Sequence, residues 1–448
     1  MATKLSYIAQ KARREPTCKF HNLYQLLGPE LLRECFKQLR MDAAAGIDKV
    51  TKKAYGEHLE ANLADLTERL HRMAYVPRPV RRVYIPKPGS AKQRPLGIPA
   101  LEDKLVQAAI VRILEQIYEQ DFIESSYGFR PNKNCHDALR DLSRTVEDSR
   151  KTEWIVEADI KGFFDNVRHE WLLKFLSHRI GDTRLLRMVA RFLKSGVMEE
   201  GKIYATEMGT PQGGIISPLL ANIYLHYALD LWTTKPFCSI CTGAMRLVRY
   251  ADDFVVCFER QQDAERFREE LVSRLAKFGL EVEPSKTKVL AFGPKAYREA
   301  QRRGGKPDTF DFLGLTHYCS KRRNGTGFRM KRKTSRTKYK AKLCALSQWL
   351  RENRMRYKTR ELWNRVCANV RGHYSYYGVT DNIQALDRYG KQARKLLFKW
   401  LNRRGGRKRM TWEKFDKMEE RFPFPRARIS VNMFEKPHPN TQGYLSIF

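Results

Sequence analysis

No stretch of this 448-residue chain reaches the roughly 18 consecutive apolar residues that a membrane-spanning helix needs. The amino terminus, Met1-Ala2-Thr3-Lys4-Leu5, lacks an apolar signal core, and no amphipathic anchor follows it. Cysteine is sparse and scattered, nine residues in all. That odd number suits a reducing cytosol better than a disulfide scaffold. Cys238 and Cys241 have metal-ligand spacing, but no second Cys or His pair stands nearby, so a loop insertion is favoured over a zinc site. No internal repeat is present. Acid is also scarce: 50 Asp and Glu stand against 85 Lys and Arg, a formal charge of +35. Such an excess points to a polyanionic partner, with nucleic acid ahead of a membrane surface. Two stretches carry no acid at all, residues 321–340 with ten Lys or Arg and residues 391–409 with nine. Each phosphate neutralised by such a run releases counterions.

The acids that matter most are concentrated at one tip. Arg249-Tyr250-Ala251-Asp252-Asp253-Phe254 is flanked by Met245, Leu247 and Val248 before it and by Val255, Val256 and Phe258 after it. These runs predict two short strands of a hairpin. Adjacent carboxylates repel by about 4 kcal/mol at about 4 Å and an effective dielectric of about 20. A solvated turn is one reading of the pair, and a hard divalent cation between them is the other. A second element decides between these. Trp154-Ile155-Val156-Glu157-Ala158-Asp159-Ile160 reads as a buried strand that ends in an aspartate. An aspartate leaving a strand, beside an Asp-Asp hairpin, is what two-metal nucleotidyl transfer requires. Alternation of side chains along a strand favours Asp159 and Asp252 as ligands, with Asp253 less direct.

At 448 residues the chain suits two to four packed units. Residues 22–70 read as helices, with Leu31, Leu32, Cys35, Phe36 and Leu39 on one face. Prolines then punctuate a basic ribbon that carries Lys87, Lys92 and Arg94. It is either a plain basic surface or a clamp for a triphosphate. Residues 101–120 and 169–180 read as helices. Gly213 and Gly214, at a helix entrance, allow close backbone approach to a ligand, and Gln212 beside them would touch a base or sugar. The alternative is a structural turn. Residues 265–278 form a predicted helix, 289–292 and 310–315 predicted strands, and Lys286 lies just ahead of the first of these strands. Amphipathic helices follow, then Gly372-His373-Tyr374-Ser375-Tyr376-Tyr377-Gly378, which suits either base stacking or packing between helices. Residues 410–448 are poorly periodic.

These motifs together resemble the reverse transcriptase–maturase proteins of bacterial group II introns. The matching pieces are Gly46-Ile47-Asp48, Arg94-Pro95-Leu96-Gly97-Ile98-Pro99, Tyr127-Gly128-Phe129-Arg130-Pro131 and Asp159-Ile160-Lys161-Gly162-Phe163-Phe164-Asp165. Gly209 to Gly214, Tyr250 to Asp253, Phe312 to Leu315 and Arg371 to Gly378 complete the series, in family order from about residue 45 to 380.

The resemblance implies an α+β right-hand polymerase. An N-terminal helical extension would span 1–60, fingers 61–150, and a palm with some fingers elements 151–320. A thumb or maturase domain would span 321–390, and a basic DNA-binding-like segment 391–448. It implies two Mg²⁺ held by Asp159, the Ile160 backbone, Asp252 and Asp253. Lys87, Arg94, Gln212 and Gly213 would contact the deoxynucleoside triphosphate. Phe164, with Phe163 as its neighbour and rival, would exclude ribonucleotides, and Lys286 would donate a proton to pyrophosphate. Lys331, Arg332, Lys333, Arg336, Arg371, Arg403, Arg404 and Arg407 are the expected nucleic-acid contacts. Many relatives end in a Cys-rich His-Asn-His nuclease. Here Cys367 is the last cysteine and only His373 and His438 follow it, so this chain is expected not to cut DNA.

The expected activity is RNA-directed DNA synthesis in the bacterial cytosol, with RNA template, intron RNA, DNA primer and target as partners. Splicing assistance and target-primed retrotransposition come with it by resemblance. A host-adopted relative in DNA repair or phage defence is the alternative. A non-catalytic RNA-binding cofactor is disfavoured by the three retained aspartates.

Overall fold

The structure, a computed structural model, describes residues 2–86, 93–147, 151–199, 202–204, 208–209, 213–322, 325, 327–404 and 410–435. Its strands are β1 (Val80–Pro86), β2 (Gln93–Ile98), β3 (Trp154–Asp159), β4 (Val197–Glu199), β5 (Lys202–Tyr204) and β6 (Met245–Tyr250). They continue with β7 (Asp253–Phe258), β8 (Lys288–Ala291), β9 (Thr309–Phe312), β10 (Leu315–Lys321) and β11 (Phe328–Thr334). Among the described residues they form three sheets, ordered β2-β1-β4-β5, β6-β7-β3-β8 and β11-β10-β9. No described helix is long and apolar enough to cross a membrane.

The central sheet, β6-β7-β3-β8, is antiparallel throughout and separates two hydrophobic cores. Val156, Ala158, Phe254, Val256 and Phe258 face one core, while Ile155, Val255 and Cys257 face the other. A sheet buried on both faces needs apolar residues at consecutive positions. That is why β3 and β7 read as continuous apolar runs. The first core takes in the helices Pro29–Gln38, Leu59–His71, Leu101–Asp121, His169–Ser177, Thr183–Leu193 and Ser217–Leu225. The second takes in Cys135–Glu147, the sheet β9–β11 and the C-terminal helices Arg336–Asn353, Thr359–Tyr377 and Ile383–Asn402.

Several expected boundaries fall inside elements. The helix Leu59–His71 runs across residue 60 and β10 across residue 320. The helix Ile383–Asn402 runs unbroken through residue 390, because Leu386, Tyr389, Ala393, Leu397 and Leu401 continue one buried seam. Residues 391–402 therefore continue that helix and do not begin a separate extension. The helix Trp412–Arg421 packs back, with Phe415 against Trp363 at 5.0 Å between ring centroids. The predicted strand over 310–315 is also corrected. Leu313 and Gly314 adopt positive φ, 51° and 74°, and turn the chain from β9 into β10. The basic run after 321 builds β11, which pairs with β10.

Candidate active site

The carboxylate tip is a two-residue turn. Tyr250 pairs with Asp253, leaving Ala251 and Asp252 as the loop, with φ of 57° at Ala251. A positive φ at the first loop residue suits the right-handed twist of the flanking strands. Asp159, the last residue of β3, lies directly opposite Asp253 on β7. Directly opposed residues of an antiparallel pair share a face, with Cα atoms about 5 Å apart. Asp253, not Asp252, therefore shares the face of Asp159. Asp252 belongs to the turn and has no strand face, so strand alternation does not set its direction relative to Asp159. Ile160 forms the next bridge, to Val282, through the Lys161 N–H to Glu281 and the Glu283 N–H to Asp159. That pattern turns its own carbonyl toward the Asp252–Asp253 side.

Few positive charges offset these acids. Burial pushes the Asp253 carboxyl up to about 7; the Leu313 N–H, 3.4 Å from Oδ2, opposes this, and the charges of Asp252 and Asp159 add to it. Asp252 is raised too, by burial first and then by Asp159, while Arg94 and Arg249 pull it down. Lys286 binds Asp159 Oδ2 through its ammonium, and that bond raises its pKa. Among the described residues no three acids, histidines or cysteines yet share one coordination point. The donors present are nonetheless hard oxygens under mutual repulsion, the set that suits Mg²⁺ rather than a soft metal.

An expected consequence concerns stability. A carboxyl whose folded pKa is raised from the ordinary 3.8 to about 7 gives stability at low pH, which is lost as pH climbs through that window. Asp253→Asn removes the buried charge. In metal-free buffer its melting temperature should exceed the wild-type value at pH 8, and the gap should narrow by pH 5 and close only as pH approaches the ordinary 3.8. Differential scanning calorimetry at the two pH values checks this; a gap that is independent of pH would rule it out.

Of the other expected residues, Arg94 is exposed on β2 and its charge reaches Asp252. Phe164 is half-buried, in the short helix Phe163–Asn166 that follows Asp159. Phe163 is a correction: it is buried against Phe164 and Tyr224 and belongs to the core. Gly213 has φ of 109°, and a Cβ there would sit 2.6 Å from the Gly97 carbonyl, so its close approach is to β2. Lys87, Lys92, Gln212 and Arg407 lie outside the described residues.

Lys333, Arg336, Arg371 and Arg403 are exposed, and Lys331 is partly so. Arg332 is not a surface contact. It alternates inward on β11, is fully buried, and is drawn toward the charges of Asp381 and Glu147. Arg404 donates to Thr359 Oγ1 at 2.7 Å and to the Tyr357 carbonyl, tying down a loop. The aromatic run near residue 375 is packing: His373 stacks on Tyr389 at 3.6 Å, and Tyr374 and Tyr377 are buried. Tyr376 donates its hydroxyl to the Leu313 carbonyl at 3.1 Å, bracing the loop over Asp253.

One acid was missed. Glu157 lies two residues before Asp159 on the same face of β3, and burial with the charges of Asp311 and Asp253 lifts it to about 7. Period-two spacing from Asp159 was the available signal.

Residues 85–317, just over half of the chain, match the family described as reverse transcriptase (RNA-dependent DNA polymerase). The group II intron-encoded protein LtrA of Lactococcus lactis subsp. cremoris is 42% identical over 208 residues, which are 46% of this chain and 34% of that protein. Protein YkfC of Escherichia coli (strain K12) is 34% identical over 302 residues, 59% of this chain and 77% of that one. An uncharacterized 91 kDa protein in the cob intron of Schizosaccharomyces pombe is 43% identical over 148 residues, 33% and 18% of the two chains. The match with LtrA thus spans about a third of that protein's length. The matched segment is of mixed α+β content and holds Arg94, Asp159, Asp252, Asp253 and Lys286, and the chain belongs to the reverse transcriptase family, with group II intron-encoded proteins among its relatives.

Proposed function

We propose that the chain is an RNA-directed DNA polymerase that binds group II intron RNA and assists its splicing and target-primed retrotransposition. The observation that carries the polymerase is Asp159 opposite Asp253, with Asp252 next along the turn. In this reading the β1–β2 ribbon belongs to the fingers, the central sheet is the palm, and the C-terminal helices form the thumb. Asp159, Asp252, Asp253 and the Ile160 carbonyl would hold two Mg²⁺, which when bound activate the primer 3′-hydroxyl and neutralise the departing pyrophosphate.

The rest is done by the chain's own side chains. Lys286 balances Asp159 until the carboxylate is needed, and once detached it can pass a proton to pyrophosphate. Arg94 faces Asp252 and offers a planar fork to phosphate oxygens, with Lys87 and Gln212 completing the nucleotide contacts. Lys333, Arg336, Arg371 and Arg403 present exposed charge to RNA. The maturase half is supported by the intron-encoded relatives.

Primer extension on an RNA template with Mg²⁺ and deoxynucleotides tests the polymerase; purified protein that adds no nucleotide would refute it. Sugar choice tests Phe164. Phe164→Ala opens space beside the ribose, so ribonucleotide use should rise by about tenfold or more, with deoxynucleotide use little changed. An unaltered preference would move the gate to another residue.

A further inference from the structure

Arg249 stands two residues before the loop Ala251–Asp252, and its side chain is fully buried. Its guanidinium and the Asp230 carboxylate are both fully buried and meet bidentately, Nε to Oδ1 at 2.7 Å and Nη2 to Oδ2 at 2.5 Å. Nη1 donates to Asn222 Oδ1 at 3.1 Å and to the Ala251 carbonyl at 2.8 Å. Asn222 in turn donates to the Gly128 carbonyl at 2.7 Å. The Arg249 main chain closes the ring, receiving the Tyr127 N–H and donating to the Ser125 carbonyl, each at 2.9 Å.

One arm of this network ends on the turn at Ala251, three end on the loop that touches it, at Ser125, Tyr127 and Gly128, and the ion pair anchors them to the helix that carries Asp230. Ala251 holds a positive φ that an alanine rarely adopts, and the Arg249 bond grips its carbonyl. Asp230 is delivered by a stretch of π-helix, His226–Asp230, that continues the helix Ser217–Leu225. Such wide turns recur at functional sites. His226 faces Asp230 at 4.0 Å and is neutral, because burial pushes its pKa down to about 4. A buried ion pair is poor value as plain scaffolding, since packed apolar residues often serve stability as well or better. An ion pair fixes direction, however, and the direction fixed here is that of the backbone carrying Asp252.

We propose that Arg249 is a positioning residue, which through its buried pair with Asp230 and its bond to Ala251 holds Asp252 in the pose that takes a divalent cation. The proposal rests on the polymerase reading above for its activity readout, but not for its metal readout. The test compares full-length wild type with Arg249→Met/Asp230→Leu, which swaps the pair for apolar groups, and with the near-isosteric Asp230→Asn. Thermal melts, Mn²⁺ titration followed by electron paramagnetic resonance, and steady-state primer extension are read on each, with Asp252→Asn as the reference for a lost ligand.

The double variant should melt cooperatively and bind Mn²⁺ about tenfold more weakly. Its kcat should fall about 100-fold, with KM for template–primer changed no more than about threefold. Asp230→Asn should move the same quantities in the same direction. A folded double variant, or failing that Asp230→Asn, with wild-type Mn²⁺ affinity and kcat overturns the proposal. Should the wild type bind Mn²⁺ through Asp252 yet extend no primer, the polymerase reading falls, and the Mn²⁺ titrations alone decide the role of Arg249.

Discussion

Asp252→Asn should reduce primer extension by about 1,000-fold or more while leaving the fold intact. The amide keeps the size of the carboxylate but supplies no charge to a divalent cation. Metal stabilisation of developing charge amounts to several kcal/mol, and each 1.36 kcal/mol is tenfold in rate. Asp252 sits on the turn and carries no strand pairing, so the change costs little in packing. Its own carboxyl is raised by burial and by Asp159, so a neutral residue should slightly stabilise the metal-free protein. Single-turnover extension and a thermal melt on the same preparation separate the two effects. A variant that extends primer at the wild-type rate would remove Asp252 from the metal set.

Gly128→Ala should disable the site without touching an acid. A Cβ at Gly128 would fall 2.2 Å from the Ala251 nitrogen and 2.9 Å from both the Ala251 Cα and the Tyr250 carbonyl carbon. All three are backbone atoms of the carboxylate turn, so no side chain can rotate away to relieve the clash. Forced overpacking costs about 1–3 kcal/mol, and a shift of about 1 Å at reacting groups costs about 100-fold in rate. We therefore expect a lowered melting temperature together with a fall in kcat of about 100-fold. Gly372→Ala is the contrast, since a Cβ there meets nothing within 4 Å in the helix Thr359–Tyr377. It should gain about 1 kcal/mol from helix propensity alone. Equal extension rates for the two variants would sink the steric argument.

The strands that carry the acids were legible because a sheet covered on both faces writes apolar residues at every position, as in Ile155-Val156 and Phe254-Val255-Val256. The crowding of acids at the hairpin tip was legible because adjacent aspartates are electrostatically unfavourable without a cation. Net charge, likewise, is a sum that needs no coordinates. Which acid faces which was not legible. A two-residue turn removed Asp252 from the strand, gave its face to Asp253, and left Glu157 beside them. The run 331–333 looks uniform as a string, yet the strand period sends Arg332 into the core and leaves Lys331 and Lys333 outside. The residues after 410 lack periodicity, but Phe415 finds a partner in Trp363, far back in the chain.

Composition and local pattern thus determined the excess of positive charge, the central strands and the acidic tip, since each depends on near neighbours or on totals. The tertiary structure alone decided the shared face of Asp159 and Asp253, the burial of Arg332 and the Arg249–Asp230 pair. Each of those depends on residues brought together from distant elements, and only the folded backbone sets which of them meet.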